Sequence, residues 1–65
     1  MKKKEIKNIA KKIVKYESII QNSTDQKEIE QAKTAIFNLS HSIHSLEDMV
    51  AIDEEVQTIL EQQNI

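Results

Sequence analysis

The stretch that decides the fold is IKNIAKKIVKYESII, residues 6–20. Its apolar residues recur at alternating spacings of three and four, which aligns them along one face of an α-helix. This stripe consists of Ile6, Ile9, Ile13, Tyr16 and Ile20. Ala10, Val14 and Ile19 widen the stripe to more than half of the helix circumference. The sequence therefore predicts a first helix over about 3–21 that packs against more than one neighbour.

Two further helical stripes follow, and the chain has no glycine or proline to interrupt them. The second stripe predicts a helix over about 25–44 and includes Leu46 in its rhythm. A third stripe begins at Met49, rotated roughly 130° from the second if the helix is continuous. We expect either a turn near His44 and a separate helix over about 46–62, or one long helix that meets different partners at its two ends.

The polar connection after the first helix contains helix-start signals. Ser23 with Gln26, and Asp25 with Glu28, both have the spacing of a capping box. Acidic residues also favour the N-terminus of a helix because of its dipole. The sequence therefore predicts that the second helix begins with a side-chain cap in this connection.

The three stripes predict an all-α fold, a small up-down-up three-helix bundle. The alternative is a helical hairpin that dimerises into a four-helix bundle, with coiled-coil-like packing. The 65 residues form a single helical domain, 1–65, near the lower size limit for independent folding. No cysteine is present to form a disulfide, so we expect self-association to contribute to stability.

The composition argues against catalysis and against a metal or cofactor site. Serines are present, but no cysteine and no glycine turn supports a nucleophile with an oxyanion site. His41 and His44 are three residues apart, whereas a helical metal pair usually has a spacing of four and further ligands. We therefore expect a non-enzymatic protein with no cofactor, no metal and no small-molecule substrate.

The location of the protein is predicted from what interrupts its apolar segments. No apolar run approaches the roughly 20 residues of a membrane span. Lys7 and Lys11 break the apolar region that a signal peptide requires. The absence of cysteine fits a reducing compartment. We expect a cytoplasmic protein without a membrane partner.

Charge is divided unevenly along the chain. Residues 1–15 contain seven lysines and one acid, whereas the other fifty residues contain two lysines and ten acids. A lysine-rich helix face predicts nucleic-acid binding as an alternative function. The candidate residues are Lys3, Lys4, Lys7, Lys11 and Lys15. A solvated helix face is the simpler interpretation, because the chain has no arginine for base recognition.

Phe37 is the residue that most favours a protein partner. On the second helix it lies roughly 150° from the centre of the apolar stripe, and His41 and His44 follow at spacings of four and seven. An aromatic side chain directed away from the core is a candidate contact residue. The other interpretations are that Phe37 covers the third helix or is simply exposed. We add Tyr16 as a secondary contact candidate.

These observations together predict a small protein–protein interaction module. It would act as a regulator, adaptor or inhibitor by binding another protein, itself, or both. Nucleic-acid binding through the first helix is one alternative, and a self-assembling structural unit is the other. The sequence does not identify the partner or the oligomeric state.

Overall fold

A computed structural model describes residues 2–63 as three α-helices joined by short connections. The first helix, α1, spans Lys3–Asn22; α2 spans Gln26–His41; and α3 spans Leu46–Gln63. No strand occurs in this part of the chain. The predicted all-α fold of three packed helices is confirmed.

The helix α1 is the central element of the fold. Both α2 and α3 pack against it, which confirms that the first helix contacts more than one neighbour. Among the described residues, however, no Cα atom of α2 lies within 8 Å of a Cα atom of α3. The molecule is correspondingly wide and thin, with extents of 34 × 31 × 15 Å. The bundle is open on the side where α2 and α3 fail to meet.

The core is small and is built from short side chains. Ala10 and Val14 of α1 are buried against Ile52 and Val56 of α3, and Ala32 is buried on α2. A ring of partly buried side chains packs around the first four: Ile6, Ile9, Ile13, Ile43, Ile59 and Leu60. Most side chains of the predicted stripes are therefore partly rather than fully buried.

Asp25 caps the start of α2, as the sequence predicts. Its Oδ1 accepts a hydrogen bond from the Lys27 backbone N–H at 3.0 Å, and its carbonyl accepts the Ile29 N–H at 3.0 Å. The Asp25 N–H donates to Ser23 Oγ at 3.1 Å, and that hydroxyl donates to Glu28 Oε2 at 3.3 Å. The Ser23 hydroxyl thus bridges Asp25 and Glu28, the two members of one of the predicted capping boxes.

Removal of this cap should destabilise the protein measurably. We expect Asp25→Ala to lower the free energy of unfolding by about 1 kcal/mol, because the Lys27 N–H loses its side-chain acceptor. Urea denaturation followed by circular dichroism measures the change. Thr24→Ala is the control, since it alters an exposed neighbour in the same connection. Equal losses in the two variants would show that the cap contributes nothing specific.

The second helix ends earlier than the sequence predicts, at His41 rather than near residue 44. Ser42 ends it, because its Oγ donates to the Leu39 carbonyl at 2.7 Å. The Ser42 N–H also contacts two carbonyls, those of Asn38 and Leu39, each at 3.2 Å. A serine side chain that bonds to nearby backbone groups offers the chain an alternative to the helix.

The third helix is separate from the second. The Ile43 N–H donates to the Ser40 carbonyl at 3.2 Å, which closes a tight turn, and the Met49 N–H donates to the Ser45 carbonyl at 3.1 Å as α3 begins. This break places His44 in the connection between the helices. Leu46 becomes the first residue of α3, so its assignment to the stripe of the second helix is wrong.

Candidate interaction surface

A groove runs along the open side of the bundle, between α2 and α3. Its floor is part of α1, its walls are α2 with the following connection and α3, and its volume is about 280 Å³. The lining residues are Ile13, Glu17, Ser40, Ile43, Met49, Ile52, Asp53 and Val56. Apolar side chains dominate this list, and Glu17 and Asp53 contribute carboxylates. The groove is thus an apolar concavity with acidic groups at its edge.

Phe37 and His41 form an exposed aromatic pair on α2. Their ring centroids lie 4.2 Å apart with the rings tilted by 59°, and Phe37 is 62% exposed. Lys33 precedes them by one helical turn, so Lys33, Phe37 and His41 form an exposed row at four-residue spacing. We refer to these three residues as the α2 ridge.

A second exposed row runs along the first half of α3. Leu46, Val50 and Glu54 follow at four-residue spacing, and all three side chains are exposed. Leu46 is 76% and Val50 is 51% exposed, which is high for large apolar side chains of a small domain. Together with Ala51 they border a shallow apolar depression. We refer to Leu46, Val50 and Glu54 as the α3 ridge.

Each ridge starts on the groove side of its helix and turns outward along its length. Ser40 and Asp53 line the groove and mark that side. The first residues, Lys33 and Leu46, lie about 20° around the helix from Ser40 and Asp53, respectively. Phe37 and Val50 lie about 60° from these markers. The last residues, His41 and Glu54, lie about 100° from them, on the outer side of each helix. We call the groove and the two ridges that flank it the open face; the outer ends of the ridges, at His41 and Glu54, form its rim.

The structure brings together only part of the contact set that the sequence predicts. Phe37 and His41 touch each other, whereas His44 lies in the connection, off the helix that carries them. Tyr16 is half-buried on α1 and borders Ala32 and Ala35 of α2, away from the open face. The secondary candidate thus serves the contact between α1 and α2.

The lysines of the alternative nucleic-acid site are all exposed along α1. They are Lys3, Lys4, Lys7, Lys11 and Lys15. Apart from Lys3, they lie within an arc of roughly 80° on the side of α1 that the apolar stripe leaves free. Lys11 and Lys15 also border a shallow pocket with Ile59 and Gln63 of α3. The helix therefore presents a continuous basic face.

The described residues contain neither a cluster of metal ligands nor a membrane-spanning helix. Within residues 2–63, no three His, Asp or Glu side chains are grouped closely enough to hold a metal ion. None of the three helices, as far as the structure describes them, is both long and apolar enough to cross a membrane.

Leu46 and Val50 are the contact candidates that sequence reasoning misses. Leu46 continues the three-four rhythm of the second helix, so the pattern assigns it to the core. The sequence signal for this pair is the four-residue spacing of Leu46 and Val50, which places them on one face of a helix. Val50 also lies outside the stripe formed by Met49, Ile52 and Val56. Recognising it requires knowing that the second helix ends at His41.

Comparison of the chain with family models, with curated proteins and with solved structures finds no match.

Proposed function

We propose that this protein is a non-enzymatic, cytoplasmic interaction module that regulates, adapts or inhibits by binding another protein chain. The open face is the binding surface. In this proposal the apolar groove accepts side chains of the partner, and Phe37, His41 and Leu46 contact it at the edges. No catalytic group, metal or cofactor takes part.

The observation that carries this proposal is the exposure of large apolar side chains on one surface. Phe37, Leu46, Met49 and Val50 are 62%, 76%, 49% and 51% exposed, respectively. Exposed apolar side chains are common singly, but a cluster around an apolar groove is typical of a protein–protein contact. Aromatic residues and methionine are also enriched in such contacts relative to other surfaces.

The test is capture of a partner that depends on Phe37. Immobilised wild-type protein is incubated with lysate of the native host, and bound proteins are identified by mass spectrometry. We expect one stoichiometric protein, which Phe37→Glu loses by tenfold or more because it places a charge in the contact. The captured protein must then bind the wild-type chain when both are purified.

Asn38→Glu is the matched control for this experiment. It adds the same charge to the same helix at an adjacent, exposed position, about 100° away from Phe37. Circular dichroism must show equal helicity for both variants. Capture that survives Phe37→Glu, or that is lost equally with Asn38→Glu, would contradict the proposed surface.

The continuous basic face of α1 favours a second candidate function, binding of nucleic acid. Lysine contacts to phosphates release counterions, so the affinity depends steeply on salt. If five lysines contact duplex DNA, raising the salt from about 50 to 200 mM should weaken binding by two to three orders of magnitude. Fluorescence anisotropy with a labelled duplex measures this dependence. Lys7→Glu/Lys11→Glu should abolish binding, and an absence of binding at low salt would dismiss this candidate.

A further inference from the structure

The chain exposes more surface than a folded monomer of its mass normally does. Its accessible surface is 5168 Å², whereas a monomer of 7.5 kDa typically exposes about 4200 Å². The radius of gyration of 12.2 Å also exceeds the value of about 10.7 Å for a compact domain of this length. The excess area, roughly 900 Å², is close to the 800 Å² or so that each partner buries in a standard interface.

The core provides an independent reason to expect that the open face is covered. Among the described residues only Ala10, Val14, Ala32, Ile52 and Val56 are buried. Domains of this size are marginal even when their cores are closed, and oligomerisation is a common way to complete them. Covering the open face would complete the apolar surroundings of Ile13 and Met49, which line the groove.

We propose that a second copy of this chain covers the open face, so that the α2 ridge of each copy packs against the α3 ridge of the other. This inference rests on the proposed function and names the partner of the same surface. A two-fold axis running along the helices relates the copies. Because this axis is parallel to the helices, every helix keeps its direction in the second copy. The α3 helix of one copy therefore runs antiparallel to the α2 helix of the other.

The two ridges are complementary in this antiparallel arrangement. Lys33 of one copy lies opposite Glu54 of the other, so that opposite charges meet at the rim. Phe37 lies opposite Val50, and the His41 end of the α2 ridge lies opposite Leu46.

Charge disfavours the other pairings that a two-fold axis along the helices allows. An α3 ridge against its own copy would bring two Glu54 carboxylates together, and an α2 ridge against its own copy would bring two Lys33 ammonium groups together. Like charges across an interface are destabilising. The crosswise pairing also uses each ridge once, so the assembly closes as a dimer rather than extending into a fibre.

The first experiment measures the mass in solution by sedimentation equilibrium. We expect a species of twice the 7.5 kDa of one chain, with a melting temperature that rises with protein concentration because folding and association are linked. A wild-type protein that stays monomeric at several hundred micromolar would overturn the proposal.

A pair of matched variants tests the position of the interface. Val50→Glu should dissociate the dimer, because it places a charge opposite Phe37 and next to Glu54. Gln62→Glu adds the same charge to an exposed position outside both ridges and should leave the mass unchanged. If Val50→Glu remains dimeric and helical, the α3 ridge is not in the interface.

A charge exchange tests the crosswise pairing even if Val50→Glu proves too unstable to measure. Lys33→Glu should raise the dissociation constant of the dimer about tenfold, since the two-fold axis repeats the new repulsion. Lys33→Glu/Glu54→Lys should restore a value within about threefold of wild type, because the opposite charges are exchanged. Failure of the double variant to recover would refute the pairing.

The outcomes separate this inference from the proposed function. A monomeric protein that still captures another protein through Phe37 would refute the dimer and leave the proposed function standing. A dimer that meets the charge-exchange test but captures nothing else would support the inference and contradict the proposed regulatory role. In the first case, a helix of another protein occupies the open face. In the second case, the protein is a self-assembling unit.

Discussion

Ile52→Ala is expected to leave the protein largely unfolded at physiological temperature. Ile52 is the largest of the buried side chains in the described part of the chain, at 4% exposure. Truncating a buried isoleucine to alanine costs about 2–5 kcal/mol. A chain of this length typically has a total stability of roughly 3–10 kcal/mol. The melting temperature should fall by about 10 °C or more, as measured by thermal denaturation at a fixed protein concentration.

Ile52→Val is the graded control for this expectation. It removes a single methyl group from the same site and should cost about 0.5–1.5 kcal/mol. The two variants must be compared with the wild type at equal concentration, because association would itself contribute to stability. A loss below about 0.5 kcal/mol for Ile52→Ala would place this side chain outside the core.

Ala10→Leu is expected to separate α3 from α1. Ala10 is completely buried, at 0% exposure, where α1 packs against α3. A larger side chain there has no free volume to enter, and such overpacking costs about 1–3 kcal/mol. Because the backbone of α2 stands apart from that of α3, with no Cα pair within 8 Å, the hairpin of α1 and α2 should survive better than α3. Hydrogen exchange should therefore show faster exchange for the backbone amides of α3 than for those of α2.

Asn8→Leu controls for the effect of leucine on the helix itself. Position 8 is exposed on the same helix, so the substitution should leave the protection of α3 unchanged. Uniform loss of protection in all three helices of the Ala10→Leu protein would show that the fold responds as one cooperative unit. That result would contradict the expectation that α3 opens by itself.

The sequence predicts the helices well because helical periodicity is a local property. The stripe of residues 6–20 is wide enough to require two neighbours, and α1 has two. Asp25 marks the start of α2 by a hydrogen bond to a residue only two positions away. Such signals lie within a few residues of the feature that they predict.

The end of α2 and the open face could not be predicted in the same way. Ser42 bonds to Leu39 and stops the helix, whereas the rotation of the apolar pattern indicates a turn only near His44 and leaves one continuous helix as an alternative. Periodicity directs Phe37 away from the core, but it assigns Leu46 to the buried stripe, and the exposure of Leu46 depends on where α2 ends and how far α2 and α3 stand apart. That separation is set by tertiary packing, so periodicity alone does not reveal it.

The absence of contact between α2 and α3 also determines how binding events communicate within one chain. A ligand on α2 would change the affinity of a site on α3 mainly through α1 or through residues 42–45, because no Cα atom of α2 lies within 8 Å of a Cα atom of α3. Such thermodynamic coupling is reciprocal, so α3 affects α2 through the same elements. The small residues Ala10 and Ala32, at the two contacts of α1, are therefore the positions where substitutions should alter cooperativity without touching either ligand.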